Sequence, residues 1–318
     1  MFSVIIPVYK NEESIPRLLK ALSKISDDMN GGMEAIFVVD GSPDRSFELL
    51  RDALPKLGFP AQLLAHSRNF GSFPAIRTGL QAATGDFYGV MAADLQEPPE
   101  LMLEFYSALK ADECDVAVGT RLRRNDPLSS RITSGLFWKM YRRLVVPEMP
   151  EGGVDIFGCN KQFRNHLLNL NESRSSLIAL IFWLGFRRKL MGYERLVRQE
   201  GVSGWTFRKK VDYMLDSIFA FTDYPIRLLM RLGFLGCLIS IVLAAIILIG
   251  RITHQISVPG YVPTMLVTLF FGALNIFGLG VVGTYAWRAY ENGKNRPLSI
   301  ISIKIDNFKD QNEEYKNS

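Results

Sequence analysis

Apolar residues fall in two kinds of pattern along the chain. Through the first part, short apolar runs of strand length alternate with stretches in which apolar positions recur every three or four residues. The runs predict strands at residues 3–8, 35–39, 62–65, 87–91 and 115–118, and the periodic stretches predict helices at 13–25, 44–54, 74–83 and 99–110. In the first helix Ile15, Leu18, Leu19 and Leu22 share one face. Ser42 and Asp44 are of the type that caps a helix start. Such alternation implies an α/β fold with a largely parallel, doubly wound sheet.

The second pattern is continuous. Residues 232–250 carry no charge, and neither do residues 256–287, a stretch broken near its start by Pro259 and Pro263. A membrane span needs about 20 such residues, so two transmembrane helices are predicted, at about 232–250 and 263–287. Neither is N-terminal, and Met1 leads directly into the first strand, so no cleavable signal peptide is expected. Arg208, Lys209, Lys210, Arg227 and Arg231 precede the first span, and Arg288, Lys294, Arg296 and Lys304 follow the second, whereas the connecting loop holds Arg251 and His254. The positive-inside rule then puts both termini and the α/β part in the cytoplasm. The expected domains are 1–227, with amphipathic juxtamembrane helices in its C-terminal part, a membrane unit at 228–290, and a cytoplasmic tail at 291–318, polar and disordered from Asp306 to Ser318.

Composition adds to this. The chain has 318 residues, 48% of them hydrophobic and 22% charged, and a mean hydropathy of +0.09. That near-zero mean averages a polar domain with two apolar spans. The net charge of +5 gathers beside the spans, which points to anionic headgroups rather than nucleic acid. Three cysteines without C-x-x-C spacing fit a reducing compartment. Three scattered histidines build no zinc site, and His66 reads as a loop residue.

The unusual polar residues cluster after strands. PVYKNE follows the first, DGSPD the second, HSRNFG the third and ADLQE the fourth. All four loops leave the carboxyl ends of strands, where open α/β sheets bind ligands. There is no Walker lysine motif, and the one G-x-G-x-x-G, at 278–283, lies inside an apolar span and follows no strand. Carboxylates and an amide beside a basic side chain suit a divalent cation holding a diphosphate, as in a sugar nucleotide. The aromatic-rich stretches 136–141 and 177–184 fit either the membrane interface or the core.

SVIIPVYKNEES, VVDGSPD, SRNFG, ADLQEPPE and the ending GVVGTYAWRAYENGKNRPLSII together resemble the GT-A glycosyltransferases of family 2. Within that family they are most similar to the polyprenyl-phosphate glycosyltransferases, a group like dolichol-phosphate mannose synthase, in forms with two C-terminal spans. The resemblance covers about residues 1–305. It implies inverting transfer of a sugar from a nucleotide sugar, UDP-glucose before N-acetylhexosamine, aminoarabinose-type or GDP-mannose donors, to undecaprenyl phosphate. The product would feed cell-envelope glycan or lipopolysaccharide modification. Carried over by position, Pro7, Tyr9 and Glu12 line the nucleotide pocket, Asp40 holds the base edge, and Arg68 and Asn69 lie beside it. Asp94 and Gln96 hold Mg2+ or Mn2+, with Asp94 and Asp155 at the reaction centre. Arg121 and Arg131 receive the acceptor phosphate, with Arg198, Arg208 and Lys209 in a basic loop over the site. The implied partners are the nucleotide sugar, the polyprenyl phosphate, the membrane, and a downstream flippase and second glycosyltransferase. The resemblance leaves room for a homo-oligomer.

The chain departs from the family pattern at three places: Ala92 replaces the first Asp of D-x-D, Val39 stands where Asp or Asn often precedes DGS, and GVSGWTFRKK replaces the usual basic loop. A processive polysaccharide synthase is the competing enzyme, but the chain has no Q-x-x-R-W motif. A catalytically weak membrane-assembly protein is the competing non-enzyme.

Overall fold

The computed structural model describes residues 1–122, 141–142, 145–150, 153–172, 176–196, 215–252 and 260–307. Its centre is an eight-stranded mixed sheet. In chain order the elements are β1 (Phe2–Val8), α1 (Ile15–Asp28), β2 (Met33–Val39), α2 (Ser46–Ala53), β3 (Ala61–His66), α3 (Ser72–Ala82), β4 (Phe87–Val90), α4 (Leu101–Lys110), β5 (Val116–Arg121), β6 (Val154–Asn160), α5 (Lys161–Asn169), α6 (Leu177–Trp183), β7 (Arg188–Tyr193), α7 (Tyr224–Ile252), α8 (Tyr261–Gly293) and β8 (Ile301–Asp306). The strand order is β7-β5-β6-β4-β1-β2-β3-β8.

Strands β1 to β4 are mutually parallel where they pair, as alternation with helices requires. Their residues are buried on both faces, so β1, β2 and β3 read as continuous apolar runs rather than as alternation. α1, α2 and α4 cover one face, through Ile15, Leu18, Leu22, Leu50, Met102 and Phe105. α3, α5 and α6 cover the other, through Ile76, Leu80, Phe163, Leu167, Leu180 and Phe182. The aromatic stretch at 177–184 therefore divides: Leu177 to Phe182 belong mainly to the core and Trp183 is exposed. Tyr141 is fully buried. α3 lies close on the sheet because Gly79 has no side chain; a Cβ there would stand 2.4 Å from Ile5 Cγ2.

Two arginines lock α3 to α5 reciprocally. Arg77 donates from Nη1 to the Leu167 carbonyl (2.7 Å) and from Nη2 to the Leu168 carbonyl (2.9 Å), at the C-terminus of α5. Arg164 donates from Nε to the Leu80 carbonyl (2.8 Å) and from Nη2 to the Gln81 carbonyl (3.2 Å), at the C-terminus of α3. Each supplies donors to carbonyls that a helix end leaves without partners, and each puts a cation at the negative end of the dipole.

Three strands go beyond the sequence-based expectation. β6 runs antiparallel between β4 and β5, and β7 extends the sheet beside β5. β8 pairs antiparallel with β3 at the other edge. Residues 291–318 are thus not wholly a tail: residues 301–306 belong to the sheet, and Asn307 anchors them by donating to the Leu54 and Phe59 carbonyls. Residues 308–318, expected to be disordered, lie outside the described residues.

The apolar C-terminal stretch forms two long helices, α7 of 29 residues and α8 of 33. Among the described residues one segment, Phe270–Gly293, is long and apolar enough to cross a membrane, with a mean hydropathy of 1.4. It contains most of the span expected at 263–287, and the span expected at 232–250 lies within α7. A helical segment at 215–221 packs against the end of α8. There Arg288 donates to Asp216 Oδ1 (2.5 Å) and the Tyr285 hydroxyl to the Thr222 carbonyl (3.0 Å).

Candidate active site

Strand directions decide which loops meet. β5 and β7 run the same way as β1 to β4, while β6 and β8 run oppositely. The carboxyl ends of β1–β5 and β7, and the amino ends of β6 and β8, therefore lie along one edge of the sheet. That edge holds every described candidate: Pro7, Tyr9 and Glu12 after or within β1, Asp40 after β2, Arg68 and Asn69 after β3, Asp94 and Gln96 after β4, Arg121 ending β5 and Asp155 near the start of β6. Arg131, Arg198, Arg208 and Lys209 lie outside the described residues.

The first two loops are knitted together by carboxylates. Asp44 accepts hydrogen bonds from Ser42 Oγ (2.5 Å), Ser46 Oγ (2.9 Å) and the Glu12 amide (3.1 Å). Burial favours its protonated form, but these donors outweigh burial and hold the carboxyl below its ordinary value. Asp44 also accepts from the Ser46 amide (3.3 Å), but the residue at the N-cap of α2 is Arg45, so neither Ser42 nor Asp44 is the cap expected from the sequence. Glu12 accepts the Arg45 amide (2.9 Å), so its carboxylate closes the clasp from the other side. Tyr9 remains 43% exposed at the mouth, while Pro7 is half-buried within β1.

Asp40 is turned inward. It is 3% exposed. Its Oδ1 takes the Phe70 amide (2.8 Å) and contacts His66 Nδ1 (2.8 Å), and its Oδ2 takes the Gly71 amide (2.7 Å). The resemblance puts a base edge on this carboxylate; in the structure its oxygens also fix the β3–α3 loop. Gly41 is needed beside it. Its φ is +58, and a Cβ there would stand 2.4 Å from the Arg68 carbonyl carbon and the Asn69 amide nitrogen. The loop backbone thus runs directly over Gly41. Arg68 and Asn69 are exposed, and the Arg68 guanidinium lies 4.0 Å from the Phe70 ring centroid. His66 is not a loop residue but the last residue of β3, 4% exposed.

Around β4, Gln96 is 5% exposed and Asp94 half-buried, and the Gln96 amide makes a long contact to Asp94 Oδ1 (3.4 Å). Leu95 between them has φ 52. A left-handed non-glycine residue costs about 1–2 kcal/mol, and such strain gathers at functional sites. The Leu196 amide donates to the Gln96 carbonyl (2.9 Å), so the chain leaving β7 crosses this loop. Among the described residues no group of three or more His, Cys, Asp or Glu gathers as a metal cluster. A carboxylate and an amide oxygen are hard donors that fit Mg2+ or Mn2+ when diphosphate and water complete the shell.

On β6, Asp155 falls where the β5–β6 register shifts: Gly119 pairs with Ile156 and Thr120 with Val154, leaving Asp155 as the extra residue. Bulges of this kind are frequent beside active sites.

Residues 3–170 match the glycosyl transferase family 2. Over 301 residues the chain is 30% identical to the putative glycosyltransferase CsbB of Bacillus subtilis (strain 168), covering 95% of this chain and 91% of that one. Over 303 residues it is 29% identical to the bactoprenol glucosyl transferase of Shigella phage SfX, covering 95% and 99%. Among solved structures, mannosyl-3-phosphoglycerate synthase from Rubrobacter xylanophilus aligns with 73% of this chain and 75% of that chain at 14% identity, with a TM-score of 0.48.

Proposed function

The chain belongs to glycosyl transferase family 2, and from that premise we propose that it moves a sugar from a nucleotide sugar to a polyprenyl phosphate at the cytoplasmic membrane face. The observation that carries the reading is topological. The loops suited to a nucleotide diphosphate lie on the sheet edge where the chain departs towards its long apolar helices, after β7, and where it returns, before β8. A lipid phosphate held at the bilayer surface and a soluble donor would meet at that edge. The name of the Shigella phage relative supports a bactoprenol acceptor. α7 and α8 serve as two spans with both termini cytoplasmic.

The donor lies against Tyr9 and the loop that Asp40 holds, with UDP-glucose the first candidate. Asp94 and Gln96 hold Mg2+ or Mn2+, which, when bound, neutralises charge on the leaving diphosphate. Arg68 at the mouth adds to that stabilisation. Arg121, with Arg131, Arg198, Arg208 and Lys209, receives the acceptor phosphate, whose oxygens match the planar guanidinium fork. A phosphate oxygen attacks the anomeric carbon opposite the diphosphate. The new carbon–oxygen bond forms as the old one breaks, and the electron pair leaves on the nucleoside diphosphate. A phosphate monoester has its second pKa at about 6, so the acceptor is already ionised at neutral pH. Asp155 accordingly orients groups or stabilises the electron-poor sugar carbon. The lipid-linked product forms on the cytoplasmic side, so a flippase and a second glycosyltransferase follow; a homo-oligomer is compatible with this reading.

The test is purified full-length protein with radiolabelled sugar nucleotides, undecaprenyl phosphate and Mg2+ or Mn2+. A labelled lipid is expected with UDP-glucose; no labelled lipid with any donor refutes the reading. For Asp155, the Asp155→Asn enzyme should stay slow at every pH. A rate loss that disappears above about pH 8 would make Asp155 a base.

A further inference from the structure

A line of hydroxyl, imidazole and carboxylate groups runs from behind the donor loop to the segment that returns after α8. His66 Nδ1 lies 2.8 Å from Asp40 Oδ1 and Nε2 lies 2.9 Å from Thr78 Oγ1, and Thr78 Oγ1 in turn lies 2.8 Å from Ser299 Oγ. Asp40, His66 and Thr78 are each at most 4% exposed. A carboxylate only accepts, so Nδ1–H donates to Asp40. In the neutral ring Nε2 then accepts from the Thr78 hydroxyl, whose oxygen accepts from Ser299. Ser299 touches Thr78 rather than the imidazole, so this is no nucleophile–base pair.

The far end of the line is the donor loop. The Asp40 oxygens take the Phe70 and Gly71 amides, so the plane of the Asp40 carboxylate sets where that backbone lies. The His66 ring also meets the Phe70 ring edge-on at 5.5 Å, and Phe70 carries Arg68. Both routes from His66 lead to the same loop. At the near end, Ser299 is tied to the sheet through neighbours: the Ser67 amide donates to the Ile300 carbonyl (3.0 Å) and Ser302 Oγ to the Ala65 carbonyl (3.0 Å).

We propose that His66 is a positioning residue for donor binding, orienting Asp40 and so the 68–71 backbone, and that Thr78 and Ser299 register this assembly against the segment following α8. The inference rests on reading that loop as the donor site.

The test uses full-length protein in detergent, UDP and GDP titrations by calorimetry, and steady-state kinetics with UDP-glucose and undecaprenyl phosphate. His66→Ala should weaken nucleotide affinity and raise donor KM by about tenfold, the scale of one hydrogen bond to a charged group, with lipid KM within about twofold of wild type. His66→Asn, whose Nδ2 can take the place of Nδ1, should recover most of the loss; His66→Gln, which reaches only towards Thr78, should not. Ser299→Ala should raise donor KM by about two- to fivefold, the scale of a neutral hydrogen bond. Unchanged nucleotide affinity in His66→Ala, or equal behaviour of the Asn and Gln variants, overturns the proposal. If His66→Ala does not fold, the Asn–Gln contrast decides. A wild-type protein that binds neither nucleotide overturns the donor-site reading itself, and the inference with it.

Discussion

Replacing Gly41 with alanine tests whether the β3–α3 loop is part of the reaction. The added Cβ would stand 2.4 Å from the Arg68 carbonyl carbon and the Asn69 amide nitrogen, and 2.8 Å from Arg68 Cα. Ordinary contact needs about 1 Å more, and the obstructing atoms are backbone, so the loop itself must move. The left-handed φ adds about 1–2 kcal/mol and overpacking a further ~1–3 kcal/mol. A domain with a stability of ~5–15 kcal/mol survives that cost. Catalysis does not: a misplacement of about 1 Å costs on the order of 100-fold in rate. Gly31→Ala supplies the control. Gly31 has φ +74 with nothing within 4 Å of its built Cβ, and its turn lies before β2, at the opposite end of the sheet from the candidate site. That variant carries the dihedral cost alone. The assay pairs thermal unfolding with kcat/KM for labelled lipid. Gly41→Ala should lose about 100-fold while Gly31→Ala keeps wild-type kinetics. A Gly41→Ala enzyme with wild-type kcat/KM would show that the loop takes no part in the reaction.

Two further predictions concern stability. Asp44 is held below the ordinary carboxyl value in the folded chain. Its contribution is therefore present above the unfolded pKa of about 3.9 and is lost as pH falls through the folded value. Asp44→Asn should be less stable by about 1–2 kcal/mol at pH 7, and the gap from wild type should narrow below about pH 4. A gap that persists unchanged to pH 3 in denaturant titrations would remove the carboxylate from the clasp. Arg164→Ala should cost about 1–3 kcal/mol. Because Arg77 and Arg164 both tie α3 to α5, the double alanine variant should cost less than the sum of the two, as a double-mutant cycle by thermal unfolding would show.

What could be read from the sequence follows from the range of the physics involved. β1 to β4 and α1 to α4 announce themselves because buried parallel strands are apolar runs and covering helices are amphipathic, both local patterns. The four strand-end loops follow from that order alone. β6 hides because Asp155, Gly158 and Asn160 interrupt its apolar residues, and β7 because Arg188, Lys189 and Leu190 are partly or largely exposed. β8 carries a clean two-residue alternation, but its partner lies far away in sequence and on the other side of two long helices. The site shows the same limit. A carboxylate after β2 is visible at position 40; that its oxygens are taken by amides some thirty residues later is not. Nor does composition distinguish an exposed loop histidine from His66, buried between Asp40 and Thr78.

The edge pairing of β3 with β8 has a consequence for biogenesis. Synthesis delivers the N-terminal part first. β3 is therefore made with its outer edge open, and the strand that closes it emerges only after α7 and α8 have been translated. An open edge is a template for wrong pairing. On the proposed reading, in which α7 and α8 enter the bilayer, the nascent domain must keep that edge sheltered while those helices insert, and only then can the sheet be finished. Completion of the catalytic domain thereby becomes a report that insertion has succeeded, and a chain whose helices fail to insert should stay unfinished, open-edged and a ready substrate for proteolysis.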